Sequence, residues 1–401
     1  MLIPKYWAQY KQRFELSGTA DNTSDTFNSK QATIKRYGWS DVSQAEALSH
    51  AKSRVRETHN RWLAGEDILR RERREEYNAS NGIPIREEII SEHDFPENEL
   101  SNNSAAVTKL IVTRNSYGAQ VANVDNIAII DVDNKDLLGH LYPEHYSSNG
   151  FMPAIPTYQS KPSSKLKIWV FILVFILIAS VIAWLGLSWL WLLAVMFGVT
   201  AYLWQQASQR DKAHAQKYTD DIASLLPYMT DVIKKRVANH PTERFRLYQT
   251  PAGFRIIATH DTIAPSDELV AEWFEYFHAD ANYVRLSQIQ QCFRARLTAK
   301  PWRMGEVEGK KLTKDIPAKN FWFGSNNIDV DSSIEQRQDE LKARKQWIVD
   351  YDRFAQGYRT CHYVESFAGK EASHQLESVA IKAFVDWHDR ACRVDKALPM
   401  A

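Results

Sequence analysis

The chain has 401 residues and an almost even balance of charge, with 50 Lys and Arg residues against 49 Asp and Glu residues, for a formal net charge of +1. Charged residues make up 25% of the chain and aromatic residues 12%, a composition that is typical of globular proteins and excludes a disordered tether. The even charge excludes a bulk electrostatic field directed at nucleic acid, and it leaves a local basic groove open.

The first 160 residues are predicted to form the N-terminal part of an α+β domain. Residues 1–31 have weak periodicity, and their polar tract GTADNTSDTFNSK is predicted to be a loop. The segment Ser40-Asp41-Val42-Ser43 offers an N-cap for a long helix that runs through Ala45, Ala47, Ala51 and Val55. The charges on its other faces favour a solvated helix with internal ion pairs, and a helix that faces phosphate is the alternative. A β-branched run at residues 106–113 predicts a strand.

A second predicted strand runs through residues 126–134 and ends in two acidic residues, Asp131 and Asp133. The period of two in a strand places both carboxylates on the same face. Two carboxylates at one strand end are suited to Mg²⁺ or Mn²⁺, because hard cations prefer oxygen ligands. The alternative is an Asx turn that caps the following loop.

The most apolar part of the chain is residues 165–204, and no charged residue lies between Ile168 and Trp204. A turn at residues 185–188 leaves two arms, 168–185 and 187–204, of 18 residues each. As helices, they are about 27 Å long, close to the roughly 30 Å of a hydrocarbon core. We therefore predict a two-helix transmembrane hairpin within residues 161–210, with the lipid bilayer as partner. A buried apolar hairpin in a soluble domain is the alternative.

The charges beside the hairpin predict its orientation. Three lysines precede the first arm, and three basic residues follow the second: Lys161, Lys165, Lys167, Arg210, Lys212 and Lys217. Positive flanking residues stay in the cytoplasm. We therefore predict a protein of the bacterial inner membrane with both termini cytoplasmic.

Residues 211–401 are predicted to complete the cytoplasmic domain. A Pro251-Ala252-Gly253 turn between two apolar runs predicts a β-hairpin, residues 267–278 predict an amphipathic helix, and the chain ends in helices at 333–354 and 371–394. Each side of the apolar stretch supplies only two or three strands, against about five in a usual sheet. The predicted fold class is therefore α+β, with one cytoplasmic mixed α/β domain interrupted by a two-helix transmembrane hairpin.

Four cations lie close together in the C-terminal part, namely Arg294, Arg296, Lys300 and Arg303. Arg294 and Arg296 alternate onto one face of a predicted strand, so the group can form a phosphate clamp. Ion pairs with Asp131, Asp133, Asp329 or Asp331 are the alternative. The three cysteines, Cys292, Cys361 and Cys392, form no CxxC pair and are assigned no chemistry. His388 and Asp389 are expected to pack or pair at the surface of the last helix.

Two of these motifs resemble those of the primase–polymerase domains of the archaeo-eukaryotic primase superfamily. Residues 129–133, IIDVD, are similar to the acidic strand of that family, and residues 250–255, TPAGFR, are similar to its turn and following strand. Arg255 stands where the family usually has a histidine. Phrases such as IPKYWA, TRNSYGA and FRARLTAKPWR also resemble a bacterial family, which implies no activity.

The primase resemblance implies a catalytic site. Asp131 and Asp133 would bind the catalytic Mg²⁺ or Mn²⁺, Asp329 or Asp331 would join the metal ligands, and Arg255 would contact the phosphate of a nucleotide or nucleic acid. The predicted function is thus a membrane-anchored, primase-polymerase-like protein, either active or catalytically degenerate. The alternative is a non-catalytic inner-membrane scaffold or sensor.

Overall fold

The computed structural model describes residues 1–16, 30–70, 84–96, 107–146, 180, 184, 186, 189–306, 311–313, 315–319, 334–375 and 377–401. The helices in these ranges are α1 (Gln44–Leu63), α2 (Asn134–Leu141), α3 (Trp189–Asn239), α4 (Glu268–Tyr276), α5 (Ala281–Gln290), α6 (Ile334–Ala355) and α7 (Val379–Cys392). The strands are β1 (Tyr6–Leu16), β2 (Lys30–Ser40), β3 (Glu88–Pro96), β4 (Val107–Arg114), β5 (Gln120–Val124), β6 (Ile129–Asp133), β7 (Arg244–Thr250), β8 (Gly253–Ala258), β9 (Phe293–Arg296) and β10 (His362–Ala368).

The N-terminal elements are an antiparallel β1–β2 ribbon and helix α1, which covers one face of the ribbon. Ser43 caps α1 as predicted, because its hydroxyl accepts a hydrogen bond from the Glu46 amide at 3.2 Å. On the inner face of β2, Ala32 and Ile34 pack against Val55 of α1. The sequence did not predict β1, because only some of its residues are apolar and they lie among polar and charged ones.

Two four-stranded sheets follow, with strand orders β3-β4-β5-β9 and β10-β7-β8-β6. The predicted hairpin around Pro251 is the β7–β8 pair, in register from Phe245 opposite Ala258 to Thr250 opposite Gly253. Each of these two sheets combines strands from before and after the apolar stretch at residues 165–204. The fold is a mixed α+β arrangement, and the predicted class, one cytoplasmic domain interrupted by a transmembrane hairpin, is wrong.

The predicted transmembrane hairpin is wrong: no helix in the described part of the chain is both long enough and apolar enough to span a bilayer. The first arm, residues 168–185, lies outside the described residues except for Ser180 and Trp184. The second arm falls in α3, a helix of 51 residues that continues well beyond the apolar stretch through Arg210, Asp211 and Lys212. An apolar run does not fix where its helix ends. Because the anchor and the inner-membrane localisation depended on the transmembrane hairpin, these two predictions are wrong as well.

The chain divides into two compact units, Met1–Asp131 with Ile233–Ala401, and Val132–Val232. In the second unit, the Tyr146 hydroxyl donates to Asp221 of α3 at 2.8 Å. In the first unit, aromatic side chains form part of the core beside β7, where the ring of Phe245 lies 5.5 Å from that of Trp273 and 5.2 Å from that of Phe277.

Candidate functional site

The most concentrated group of chemically reactive side chains in the first unit lies where α7 packs beside the β7–β8 hairpin. Helix α7 contributes His388 and Cys392, one turn apart on its buried face. Cys361 lies directly before β10, which pairs with β7. Arg255 extends from β8 into the same space and is only 4% exposed.

Short distances connect these side chains. The Nε2 atom of His388 lies 3.5 Å from Sγ of Cys392 and 2.9 Å from Nη1 of Arg255. Nη1 of Arg255 is also 3.7 Å from the Cys392 sulfur. One ligand atom each from Cys361, His388 and Cys392 can be chosen so that all three lie within 4.8 Å of one another, and all three residues are buried. The group has the composition of a Cys₂His metal site.

The hydrogen bonds of His388 indicate which ring nitrogen holds the proton. A guanidinium only donates, so Nε2, which faces Arg255, is the acceptor. The proton is then on Nδ1, which donates to Oδ1 of Asp389 at 2.9 Å. Arg246 holds the other oxygen of Asp389 at 3.0 Å. The Nε2 lone pair therefore faces Arg255, with the Cys392 sulfur 3.5 Å away.

The buried guanidinium of Arg255 needs a negative partner, because desolvation of an unpaired charge is costly. Its hydrogen-bond partners in the described part of the chain are His388, Cys392 and the carbonyl of Arg296, and none is a carboxylate. Burial raises the pKa of Cys392, but the hydrogen bond from Cys361, the contact with His388 and the charge of Arg255 bring that pKa well below its ordinary value. The same hydrogen bond raises the pKa of the Cys361 thiol. Cys392 is therefore the more acidic thiol of the pair.

The predicted acidic pair is at the end of β6, with both side chains half-buried. The charge of Asp131 acts on both Arg255 and Arg296, so these three predicted site residues lie near one another. Asp133 is the N-cap residue of α2. Asp329 and Asp331 lie outside the described residues. The Mg²⁺ or Mn²⁺ site stays a prediction.

The four predicted phosphate-binding cations do not form one clamp. Arg294 makes an ion pair of 2.6 Å with buried Glu87, which neutralises it. Burial lowers the pKa of Arg296. Lys300 and Arg303 flank Trp302, whose ring is 55% exposed. Arg294 is therefore engaged by Glu87 and Arg296 is partly buried, whereas Lys300 and Arg303 lie beside the exposed ring of Trp302.

Sequence reasoning missed the cysteine–histidine group because Cys361 is far from the others along the chain. The spacing of His388 and Cys392 was an available signal, since residues four apart lie on the same helix face. The pattern His-Asp-x-x-Cys did not reveal that this face is buried against Arg255.

No family model, no curated protein and no solved structure matches this chain. The primase resemblance thus gains no support from comparison. The predicted contact between Arg255 and a nucleotide phosphate also disagrees with the surroundings of this side chain. Arg255 is enclosed by an imidazole and a sulfur, and Arg294 is already paired with Glu87.

Proposed function

We propose that this chain is a zinc-binding protein in which Cys361, His388 and Cys392 hold one Zn²⁺ inside the fold. The observation that carries the proposal is the convergence of two sulfurs and one imidazole nitrogen in a buried space. Thiolate and imidazole ligands favour Zn²⁺ over Mg²⁺ or Ca²⁺, which prefer oxygen.

The spacing of the ligand atoms supports the proposal. Zinc bonds of about 2.3 Å to sulfur and 2.0–2.1 Å to nitrogen hold the two atoms about 3.5 Å apart in a tetrahedron. The distance from Cys392 Sγ to His388 Nε2 is 3.5 Å. The Nδ1 hydrogen bond to Asp389 is the arrangement that commonly fixes the tautomer of a zinc-bound histidine.

Zinc and Arg255 compete for the lone pair of His388. Binding of a metal to Nε2 would remove the 2.9 Å hydrogen bond from Arg255, which would keep its contacts with the Cys392 sulfur and the Arg296 carbonyl. Two thiolates would neutralise the metal charge. Three protein ligands leave one tetrahedral position, which water fills in zinc sites of this kind.

The buried ligands would make this zinc part of what holds the fold together, while its fourth position is the open one that catalytic zinc sites keep. The zinc would link the end of α7 to the start of β10. A backbone hydrogen bond already joins these two segments, from the Thr360 amide to the Cys392 carbonyl at 3.2 Å. Because the ligands are buried, metal binding free energy becomes folding free energy.

The test is the metal content of the full chain purified under reducing conditions without chelator. We expect about one zinc per chain in the wild type, and loss of it in Cys361→Ser, His388→Gln and Cys392→Ser. Cys292→Ser is the matched control, because Cys292 is equally buried but belongs to a different apolar cluster with Ile3 and Ile85. It should keep the metal.

Cobalt substitution provides a second readout that does not depend on activity. The wild type and Cys292→Ser should show a thiolate-to-cobalt charge-transfer band, and the three ligand variants should not. A folded wild-type chain that contains no zinc and gives no such band would overturn the proposal. The result would also favour a purely structural role for the Arg255–Cys392 contact.

A further inference from the structure

A second charged site lies on the outer face of the β1–β2 ribbon. A cleft of about 470 Å³ there is lined by Lys11, Arg13, Gln31, Thr33, Lys35 and Arg70. Four of these six side chains are cationic, and the other two are neutral hydrogen-bonding groups. The described lining contains no carboxylate.

The strand period produces this face. Tyr10 and Phe14 alternate with the cleft residues and pack toward α1 with Ala32 and Ile34. The register then places Lys11 directly opposite Lys35 on the outer face, and Arg13 opposite Thr33. Every cation on this face of the ribbon therefore points away from the apolar core.

Arg70 is fixed beside the ribbon by backbone contacts. Its carbonyl accepts the amide hydrogen of Lys35 at 3.0 Å, which extends the edge of β2. Buried Arg36 donates to the neighbouring carbonyl of Leu69 at 2.6 Å. The segment that carries Arg70 is thus held in place by interactions on the other side of the ribbon.

The described lining of the cleft brings like charges close together. Like charges directly opposite each other in an antiparallel pair are destabilising. Glu15 lies 3.3 Å from Arg13 and offsets one charge at the rim, where both side chains are more than half exposed. Lys11 and Lys35 also make other polar contacts, and four positive charges still surround one small cleft.

We propose that the cleft binds a multivalent phosphate anion, a ligand that carries at least two phosphate groups. Arginine offers a planar fork and lysine a point charge for phosphate oxygens, and Thr33 and Gln31 add neutral hydrogen bonds. The volume lies within the usual range of small-ligand pockets, about 300–1,000 Å³. An anion with two or more phosphate groups can contact cations of both ribbon strands at the same time.

The test measures binding of tripolyphosphate to the full chain by calorimetry and by the shift in melting temperature. We expect one site per chain, with an affinity that falls as salt is added. The double variants Lys11→Gln/Lys35→Gln and Arg13→Gln/Arg70→Gln should each weaken binding about tenfold or more. Both should fold, because all four side chains lie outside the core and the first variant removes a repulsive pair.

The matched control is Lys52→Gln/Arg56→Gln, which removes the same charge from exposed positions on α1. It should change the affinity by less than about twofold. Equal weakening in the control, or no binding to the wild type at millimolar tripolyphosphate, would overturn the proposal. A short oligonucleotide is the second probe: tighter binding than tripolyphosphate, with the same loss in the variants, would assign the phosphate groups to nucleic acid.

Discussion

At the scale of single residues, His260 shows how burial controls a titrating group. Its ring lies 5.3 Å from that of Trp273 and 5.8 Å from that of Phe245. Its Nδ1 atom is 3.2 Å from the amide nitrogen of Arg244 and can accept that hydrogen only when it is unprotonated. Burial lowers the pKa of His260, and this outweighs the Arg244 carbonyl, 3.2 Å from Nδ1, and the nearby carboxylates, which raise it.

We therefore expect stability to fall below neutral pH because of this residue. When the folded pKa lies below the unfolded value of about 6.5, the unfolded chain binds the proton first. The contribution is complete above pH 6.5 and is lost as the pH falls from there through the folded pKa. The loss is at most about 1.4 kcal/mol per unit of pKa shift.

Urea denaturation between pH 7.5 and pH 5 would measure this effect. His260→Gln should have a lower stability at pH 7.5 but a weaker dependence on pH than the wild type. The matched control is His374→Gln at an exposed position, which should keep the wild-type dependence. An unchanged slope in His260→Gln would contradict the assignment.

At the scale of elements, a buried ion pair fastens the end of α3 to the sheet. Arg236 is 2% exposed and bonds both carboxylate oxygens of Glu243, at 2.7 and 2.6 Å. Glu243 precedes β7 and also accepts from the indole of Trp273 on α4 at 3.0 Å. One carboxylate therefore joins α3, β7 and α4.

Removing one partner of this pair should be strongly destabilising. We expect Arg236→Leu to lower the free energy of unfolding by about 3–5 kcal/mol, because Glu243 would remain buried without its counter-charge. Glu272 also contacts Arg236, but its side chain is 53% exposed. Glu272→Gln is therefore the matched control and should cost less than about 1 kcal/mol. Denaturant titration of both variants would measure the difference, and equal losses would show that the buried pair has no special role.

Local signals predicted some elements and not others. The cap at Ser43 and the turn at Pro251 depend on neighbouring residues, so sequence was sufficient for α1 and for the β7–β8 hairpin. The ribbon strand β1 was missed because its core face is only partly apolar, and Lys11 and Arg13 interrupt the pattern. Cys361 and His388 are brought together by tertiary packing, which short sequence patterns cannot predict.

At the scale of the whole molecule, one structural unit is built from two segments that are far apart in the sequence. The first unit joins Met1–Asp131 to Ile233–Ala401. Strand β5 pairs with β9, with Ala122 opposite Ala295. Arg114 on β4 forms two hydrogen bonds of 2.9 Å with Asp352 on α6. The scarcity of strands on each side in the sequence anticipated this mixed pairing, but the sequence could not specify which strands pair.

This arrangement predicts that neither segment of the first unit folds its sheet alone. In a fragment of residues 1–131, strand β5 loses its partner β9, and Glu87 loses the cation of Arg294. We expect the amides of β4 and β5 to exchange rapidly with solvent in this fragment. Co-expression with residues 233–401 should restore their protection, and the two fragments should co-purify.

The control for this experiment is Ala295→Pro in the second fragment. Proline removes the amide hydrogen of the central β9 residue that faces Ala122, so it should prevent the fragments from associating. Protection of the β4 and β5 amides in residues 1–131 alone would contradict the prediction. The β1–β2 ribbon and α1 are contiguous in sequence. If they folded alone in this fragment, the exchange of the β4 and β5 amides would stay unchanged.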